Sequence, residues 1–377
     1  MDFRLSGEQE MLRDSARRYL LAEQSFENRQ QEAKDYRGNW EQLSELGWLA
    51  LAVPEDLGGL GSGVEDLAIL GEEMGRALSL DPFVGCGVLP TRIIDRIDRA
   101  DKREQVLAQI AGNETRIAVA LYEPGRRYDL SAAGMLAART DDGAYRLHGT
   151  KILVSGGAGA NQLIVSAQIR DRATEPGGPA LFLVDAKLSG IACHAYQAID
   201  DSSVADFTFD EVEVPADALL AVSGGALLED AVDDAIVCLC AEALGGMEKA
   251  IEMTADYLKL RAQFGRPLAE FQVLQHTVAE MFIEASDARS MLYRALATLP
   301  ASGAERRKAV SACKVKIMEA AKWVAGTAVH LHGGIGVTCE YPVGHYLRRV
   351  LVSERSFGDN AYHLERYLSE KNDKRYQ

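Results

Sequence analysis

Apolar positions recur at helical spacing in the first part of the chain. Ser6 followed by Gln9 reads as a capping box, in which each side chain satisfies a backbone N–H that the first helical turn leaves free. Met11, Leu12, Ala16, Tyr19 and Leu20 then fall on one face, with Arg13, Asp14 and Arg17 between them. The same periodicity predicts helices over 40–46, from about Val64 to Leu78 and from about Lys102 to Ile110. The stretch from Leu51 to Gly63 is rich in turn formers.

The pattern changes near Thr115. Short runs with β character cover 117–121, 145–147, 163–169, 180–184, 207–209 and 212–214. Clusters such as Glu175-Pro176-Gly177-Gly178 separate them. Many short strands with such turns predict a sandwich or barrel of about a hundred residues. The strands do not alternate with helices, so a doubly wound sheet is not expected. From about Ala226 the helical period returns and holds almost to the end. It is interrupted at Gly265-Arg266-Pro267, at 299–303 and at His332-Gly333-Gly334-Ile335-Gly336. The polar tail from Glu370 to Gln377 is expected to fray. The expected organisation is mainly α with a central β domain: helical over 1–115, β over 116–222, helical over 223–377.

Composition narrows the function classes. The 377 residues are 47% hydrophobic and 26% charged, as in ordinary globular chains. A net charge of −15 argues against nucleic acid or an anionic membrane surface as partner, since both would repel it. No run of about 18 apolar residues is present to span a bilayer. The N-terminal residues lack a basic segment followed by an apolar one, so no signal peptide is expected. The six cysteines form no C-x-x-C pair and no zinc-like cluster, so no metal site is expected. Cys238 and Cys240 sit inside an apolar run and read as buried thiols. Scattered cysteines fit a cytoplasmic location.

Five segments carry a resemblance. They are Glu45-Leu46-Gly47-Trp48 continuing through Val53-Pro54-Glu55 and Leu57-Gly58-Gly59-Leu60-Gly61; Glu123-Pro124 with Asp129; Gly149-Thr150-Lys151 through Ser155; Arg261-Ala262-Gln263-Phe264-Gly265 with Phe271-Gln272; and His332 to Gly336 with Glu340-Tyr341. In this order the chain resembles the acyl-CoA dehydrogenase family. The resemblance implies an N-terminal helical domain, a middle β domain and a C-terminal four-helix domain. It implies FAD between the last two, with its adenine end reaching a neighbouring subunit of a dimer of dimers. The implied reaction is α,β-dehydrogenation of an acyl-CoA thioester, with an electron-transfer flavoprotein as acceptor.

Residue chemistry agrees with part of that implication. Arg261 and Phe264, three apart, are expected on one helix face, where a guanidinium can pair with a pyrophosphate and an aromatic ring can cover adenine. Gly333 and Gly334 let a backbone approach a phosphate or ribose. The resemblance adds Gln272, His330 in place of the family's usual Gln, and Ser155 on an expected β edge, where the family has a hydroxyl near the flavin. Leu153 stands where the family usually has Trp.

The expected catalytic base is not evident. One family position for it aligns with Gly358, beside Asp359; the other aligns with Ala235, beside Asp233 and Asp234. One residue along a helix is about 100° of rotation, so a neighbouring carboxylate does not substitute automatically. The plainer reading of Asp233 and Asp234 is an acidic first helical turn. Where the family has G-S-D, this chain has Arg127-Tyr128-Asp129 after Arg126, which is expected to narrow the flavin and substrate space or to receive a carboxylate-tailed substrate.

Adenine-side motifs without a base resemble the small, or β, subunits of heteromeric acyl-CoA dehydrogenases, such as those acting on pimeloyl-CoA and on steroid side chains. That points to a sister subunit in an α2β2 assembly. Two alternatives stay open here: a self-sufficient homotetramer using Asp234 or Asp359 as base, and a non-enzymatic acyl-binding or scaffold subunit.

Overall fold

The computed structural model describes residues 4–32, 38–130, 134–170, 178–301 and 303–372. Of the expected turn at 175–178 only Gly178, and of the tail at 370–377 only 370–372, fall within them. Among the described residues six α-helices come first: α1 (Gly7–Glu23), α2 (Phe26–Glu32), α3 (Trp40–Glu45), α4 (Val64–Ala77), α5 (Leu89–Ile94) and α6 (Ala100–Ala111). The capping box forms as expected, with Ser6 Oγ accepting from Gln9 N–H and Gln9 Oε1 accepting from Ser6 N–H.

Eight strands follow: β1 (Ile117–Ala120), β2 (Leu136–Arg139), β3 (Tyr145–Ser155), β4 (Gln162–Ile169), β5 (Ala180–Asp185), β6 (Ile191–Gln197), β7 (Ser203–Val214) and β8 (Leu219–Ala221). Their order is β6-β7-β3-β2-β4-β5-β8, with β1 parallel to β4. β4 pairs with β1 along its first half and with β2 at its end, so one strand serves two sheets. The runs at 207–209 and 212–214 are one strand, β7, and the run at 145–147 extends to Ser155. The exposed Asp210 and Glu211, the latter at φ +51°, separate the two runs of β7, and the β3 extension carries Gly149 and the buried Lys151, which hide the alternation. β2, β6 and β8 carry too weak a pattern to be foreseen.

Long helices complete the chain: α7 (Gly225–Leu260), a two-stranded hairpin of β9 (Ala262–Gln263) and β10 (Arg266–Pro267), then α8 (Gln272–Thr298), α9 (Ala304–His332), α10 (Val343–Arg355) and α11 (Asn360–Asn372). The chain forms two compact units. One comprises Met1–Gln30, Val64–Ser79 and Ile236–Gln377; the other comprises Gln31–Gly63 and Leu80–Ala235.

In the helical unit, α9 packs against α8, α10 and α11. Helix α4 crosses α7 backbone to backbone: a Cβ on Gly75 would lie 1.8 Å from the Glu242 carbonyl oxygen, and one on Gly245 1.9 Å from that of Glu72. Only glycine permits that approach. Cys238 and Cys240 are buried in this unit, as the apolar run around them predicts. In the other unit, α3, α5 and α6 accompany the strands, and the core is built from inward positions such as Leu147, Val165, Phe182 and Phe207.

Candidate active site

In the unit that holds the strands, Ser155 ends β3 opposite Val204 of β7; β2 pairs with β3 only over 145–148, so at Ser155 the strand has a ladder partner on one side, as an edge position requires. The Ser155 hydroxyl is exposed. A Cβ on Gly85 would come within 2.8 Å of Ser155 Oγ, so a glycine gives this serine its space. Just before it, β3 slips by one residue against β7 between Lys151 and Val154. Leu153 occupies the slip with φ +57°, and its N–H donates to Asp206 Oδ1 at 2.9 Å. Tyr196 Oη donates to the same oxygen at 2.8 Å, and burial and that carboxylate push the phenol up to about 12. The slip explains why Leu153, in the Trp position, is half exposed.

Glu123 and Lys151 form a buried pair in the same unit. Lys151 Nζ donates to Glu123 Oε1 at 2.6 Å, to Ser166 Oγ at 2.8 Å and to the Leu121 carbonyl at 3.3 Å. Burial pulls the Lys151 ammonium down to about 8, against the pull of Glu123. Glu123 also accepts from Gly134 N–H and from Met135 N–H, so one carboxylate ties both ends of the segment that carries Arg126, Arg127 and Tyr128. Arg126 Nε lies 3.4 Å from Glu123 Oε2, and Arg126 and Arg127 are both exposed there.

Asp234 was a candidate base. It lies on α7, which starts at Gly225, so Asp233 and Asp234 are in the third turn and not the first. The periodic residues Leu227, Leu228 and Val232 extend the helix toward its N-terminus. Asp234 is buried and accepts from Arg92 Nε at 2.8 Å and from Arg96 Nη2 at 2.7 Å. Both guanidiniums address one oxygen, Oδ2, through charge-assisted hydrogen bonds. Ala235, at the family position itself, is fully buried.

In the helical unit, the other base position is Gly358, with φ +113°. A Cβ there would lie 2.4 Å from Tyr362 Cδ1 and 2.8 Å from His363 Nε2, so no side chain fits. His363 is buried, donates from Nε2 to the Phe357 carbonyl at 3.1 Å and meets Ser311 Oγ through Nδ1 at 3.2 Å. Burial, with the Lys314 charge adding to it, pulls the imidazole down to about 3. Asp359 Oδ1 accepts from Tyr362 N–H at 2.9 Å, which is the work of an N-cap for α11.

The residues expected on the nucleotide side, Ser155 apart, belong to this unit, but Arg261 and Phe264 are not on the expected helix face. α7 stops at Leu260, and Arg261 and Phe264 sit on the β9–β10 hairpin, with Phe264 at φ +55° and Gly265 at +81°. Phe264 is 89% exposed and meets Phe271 edge-on at 6.2 Å, while the Arg266 guanidinium covers Phe271 at 4.1 Å. Gln272, the first residue of α8, is exposed, and so is His330 near the end of α9. Gly333, at φ +64°, and Gly334 have nothing within 4 Å of where a Cβ would be, so both present open backbone.

Sequence reasoning missed four contributors. Arg92 and Arg96 are four apart, a spacing that flags two cations on one face. Tyr257 stacks on His332 at 4.4 Å and Arg266 covers Phe271, and no local signal marks either contact. Among the described residues no group of three His, Cys, Asp or Glu side chains is placed to hold a metal. No helix among them is long and apolar enough to cross a membrane.

Three family models match almost end to end: acyl-CoA dehydrogenase N-terminal domain over 6–114, middle domain over 118–212 and C-terminal domain over 224–369. The chain is 28% identical over 374 residues to acryloyl-CoA reductase (NADH) of Anaerotignum propionicum, covering 96% of this chain and 94% of that one. It is 30% identical over 329 residues to mitochondrial isovaleryl-CoA dehydrogenase of Solanum tuberosum, covering 85% and 78%. Among solved structures, the ChsE4–ChsE5 complex from Mycobacterium tuberculosis superposes with a TM-score of 0.88 at 26% identity, covering 99% of each chain.

Proposed function

The chain belongs to the acyl-CoA dehydrogenase family of FAD-binding oxidoreductases, and from that premise we propose that it is the base-less subunit of a heteromeric acyl-CoA dehydrogenase. The observation that carries this reading is Gly358. Its left-handed backbone and the closeness of Tyr362 and His363 leave no room for a carboxylate at the family position. The remaining candidates have other work: Asp234 is bound by two guanidiniums and Asp359 caps a helix.

FAD, the family's cofactor, supplies a hydride acceptor for the β hydrogen. The residues of this chain fit its nucleotide half. Arg261 offers a bidentate donor for the pyrophosphate, Phe264 an uncovered ring for adenine, and Gly333 and Gly334 bare backbone; Gln272 and His330 add polar groups. These groups face outward, which suits a cofactor shared with a neighbouring chain. Ser155 would give a hydroxyl at the flavin end. In this reading the sister chain of an α2β2 assembly removes the α proton of the acyl-CoA, and an electron-transfer flavoprotein takes the electrons. The filled base site disfavours a self-sufficient homotetramer, and the open nucleotide residues disfavour a non-enzymatic subunit without FAD.

The test is turnover by the chain purified alone, against a panel of acyl-CoA thioesters with an artificial electron acceptor. No turnover is expected, with FAD still bound. Turnover by the isolated chain that Asp234→Asn or Asp359→Asn abolishes would overturn the reading.

A further inference from the structure

Two segments that the proposed function assigns to the nucleotide arise from different helices. The β9–β10 hairpin leaves α7 at Arg261, and the glycine turn leaves α9 at His332. The structure joins them at their roots. Tyr257, one turn before Arg261, lies against His332, the last residue of α9, with ring centroids 4.4 Å apart and planes 27° from parallel. Tyr257 Oη donates to the His332 carbonyl at 3.2 Å, the oxygen of the peptide that opens into Gly333. The Tyr257 carbonyl in turn accepts from Arg261 N–H at 2.8 Å, which fixes the last turn before the hairpin. One tyrosine therefore bonds to both segments.

His332 is locked from its other side. Nδ1 lies 2.7 Å from the Ala328 carbonyl, an acceptor only, so Nδ1 carries the proton and Nε2 the lone pair. His332 is 2% exposed, Tyr341 packs at 5.1 Å, and Nε2 has no hydrogen-bond partner among the described residues. A buried acceptor left unpaired has a cost, which marks a side chain kept for its shape and position.

We propose that Tyr257 and His332 are positioning residues for the nucleotide half of FAD. They hold the hairpin and the glycine turn in fixed relation, so that Arg261, Phe264 and the Gly333–Gly334 backbone address one adenosine diphosphate unit. The inference rests on the adenine-side role proposed above.

The experiment titrates the full-length chain with ADP and with FMN, which lacks the adenine, and follows amide hydrogen exchange in the unliganded chain. Tyr257→Phe keeps the ring and removes the hydroxyl; it should weaken ADP about three- to tenfold, the worth of one hydrogen bond. His332→Ala should weaken ADP further, and neither variant should change FMN. In Tyr257→Phe, exchange should accelerate over 261–272 and 333–337 together. Unchanged ADP affinity in both folded variants, or exchange that rises in one segment only, overturns the inference. A native chain that is folded but binds no ADP defeats the adenine-side reading itself, and this inference with it; the exchange result separates the two failures.

Discussion

Replacing Asp234 with alanine separates a structural clamp from a catalytic base. The carboxylate is 1% exposed and receives two charge-assisted hydrogen bonds, from Arg92 at 2.8 Å and Arg96 at 2.7 Å. At about 1.5–3 kcal/mol each, they sum to about 3–6 kcal/mol gross. The guanidiniums keep 18% and 22% of their surface in water, so they regain hydration when the acid is removed. The net loss expected is about 2–4 kcal/mol, short of that for a fully buried broken pair. Both bonds fall on one oxygen, so Asp234→Asn keeps an acceptor for both and loses the charge; it should cost about half as much. Combining Asp234→Ala with Arg96→Ala should recover about 1–2 kcal/mol of the summed losses, because the second change no longer strands a charge. Urea unfolding in a Trp323→Phe background reads this directly, since Trp40 and Trp48 are buried in the same compact unit as Asp234. An unshifted midpoint for Asp234→Ala would refute the clamp. If turnover vanished at the same time, Asp234 would be the base.

Three further outcomes follow from the geometry. Gly358→Glu should not confer dehydrogenase activity and should cost about 1–3 kcal/mol, because φ +113° and the contact with Tyr362 oppose any side chain; thioester oxidation by this variant would refute the steric argument. Gly75→Ala and Gly245→Ala should each cost about 3 kcal/mol or more, since the new methyl meets a backbone oxygen and no rotamer can relieve it; native-like soluble yield and melting would show that the α4–α7 crossing yields. The folded-state value of His363 lies below its unfolded value near 6.5, so the chain keeps this residue neutral and stability falls as pH drops from about 6.5 toward 3. His363→Gln should flatten that part of the stability–pH curve, and a curve parallel to the native one would remove His363 as the cause.

The order helix, strand, helix was legible because each class has its own local period. The Ser6–Gln9 box was legible for the same reason, as its partners are three residues apart. The family motifs could be read as a set, and Gly333 and Gly334 do present open backbone. The placement of Arg261 and Phe264 could not. Their spacing suits a helix, yet Gly265 and Pro267 turn the chain into a hairpin and Phe264 takes a left-handed backbone. Strand β7 was split in two because its middle is acidic on the exposed face.

The sequence by itself determined the succession of elements, the family motifs and the absence of a carboxylate at positions 235 and 358, since those depend on identity and short spacing. Only the tertiary structure decided what the nearby acids do. Asp234 meets arginines 142 and 138 positions away, and position 358 is closed by rings that fold back over it. Such contacts are chosen by packing across the folded chain, where distance along the sequence carries no information about distance in space.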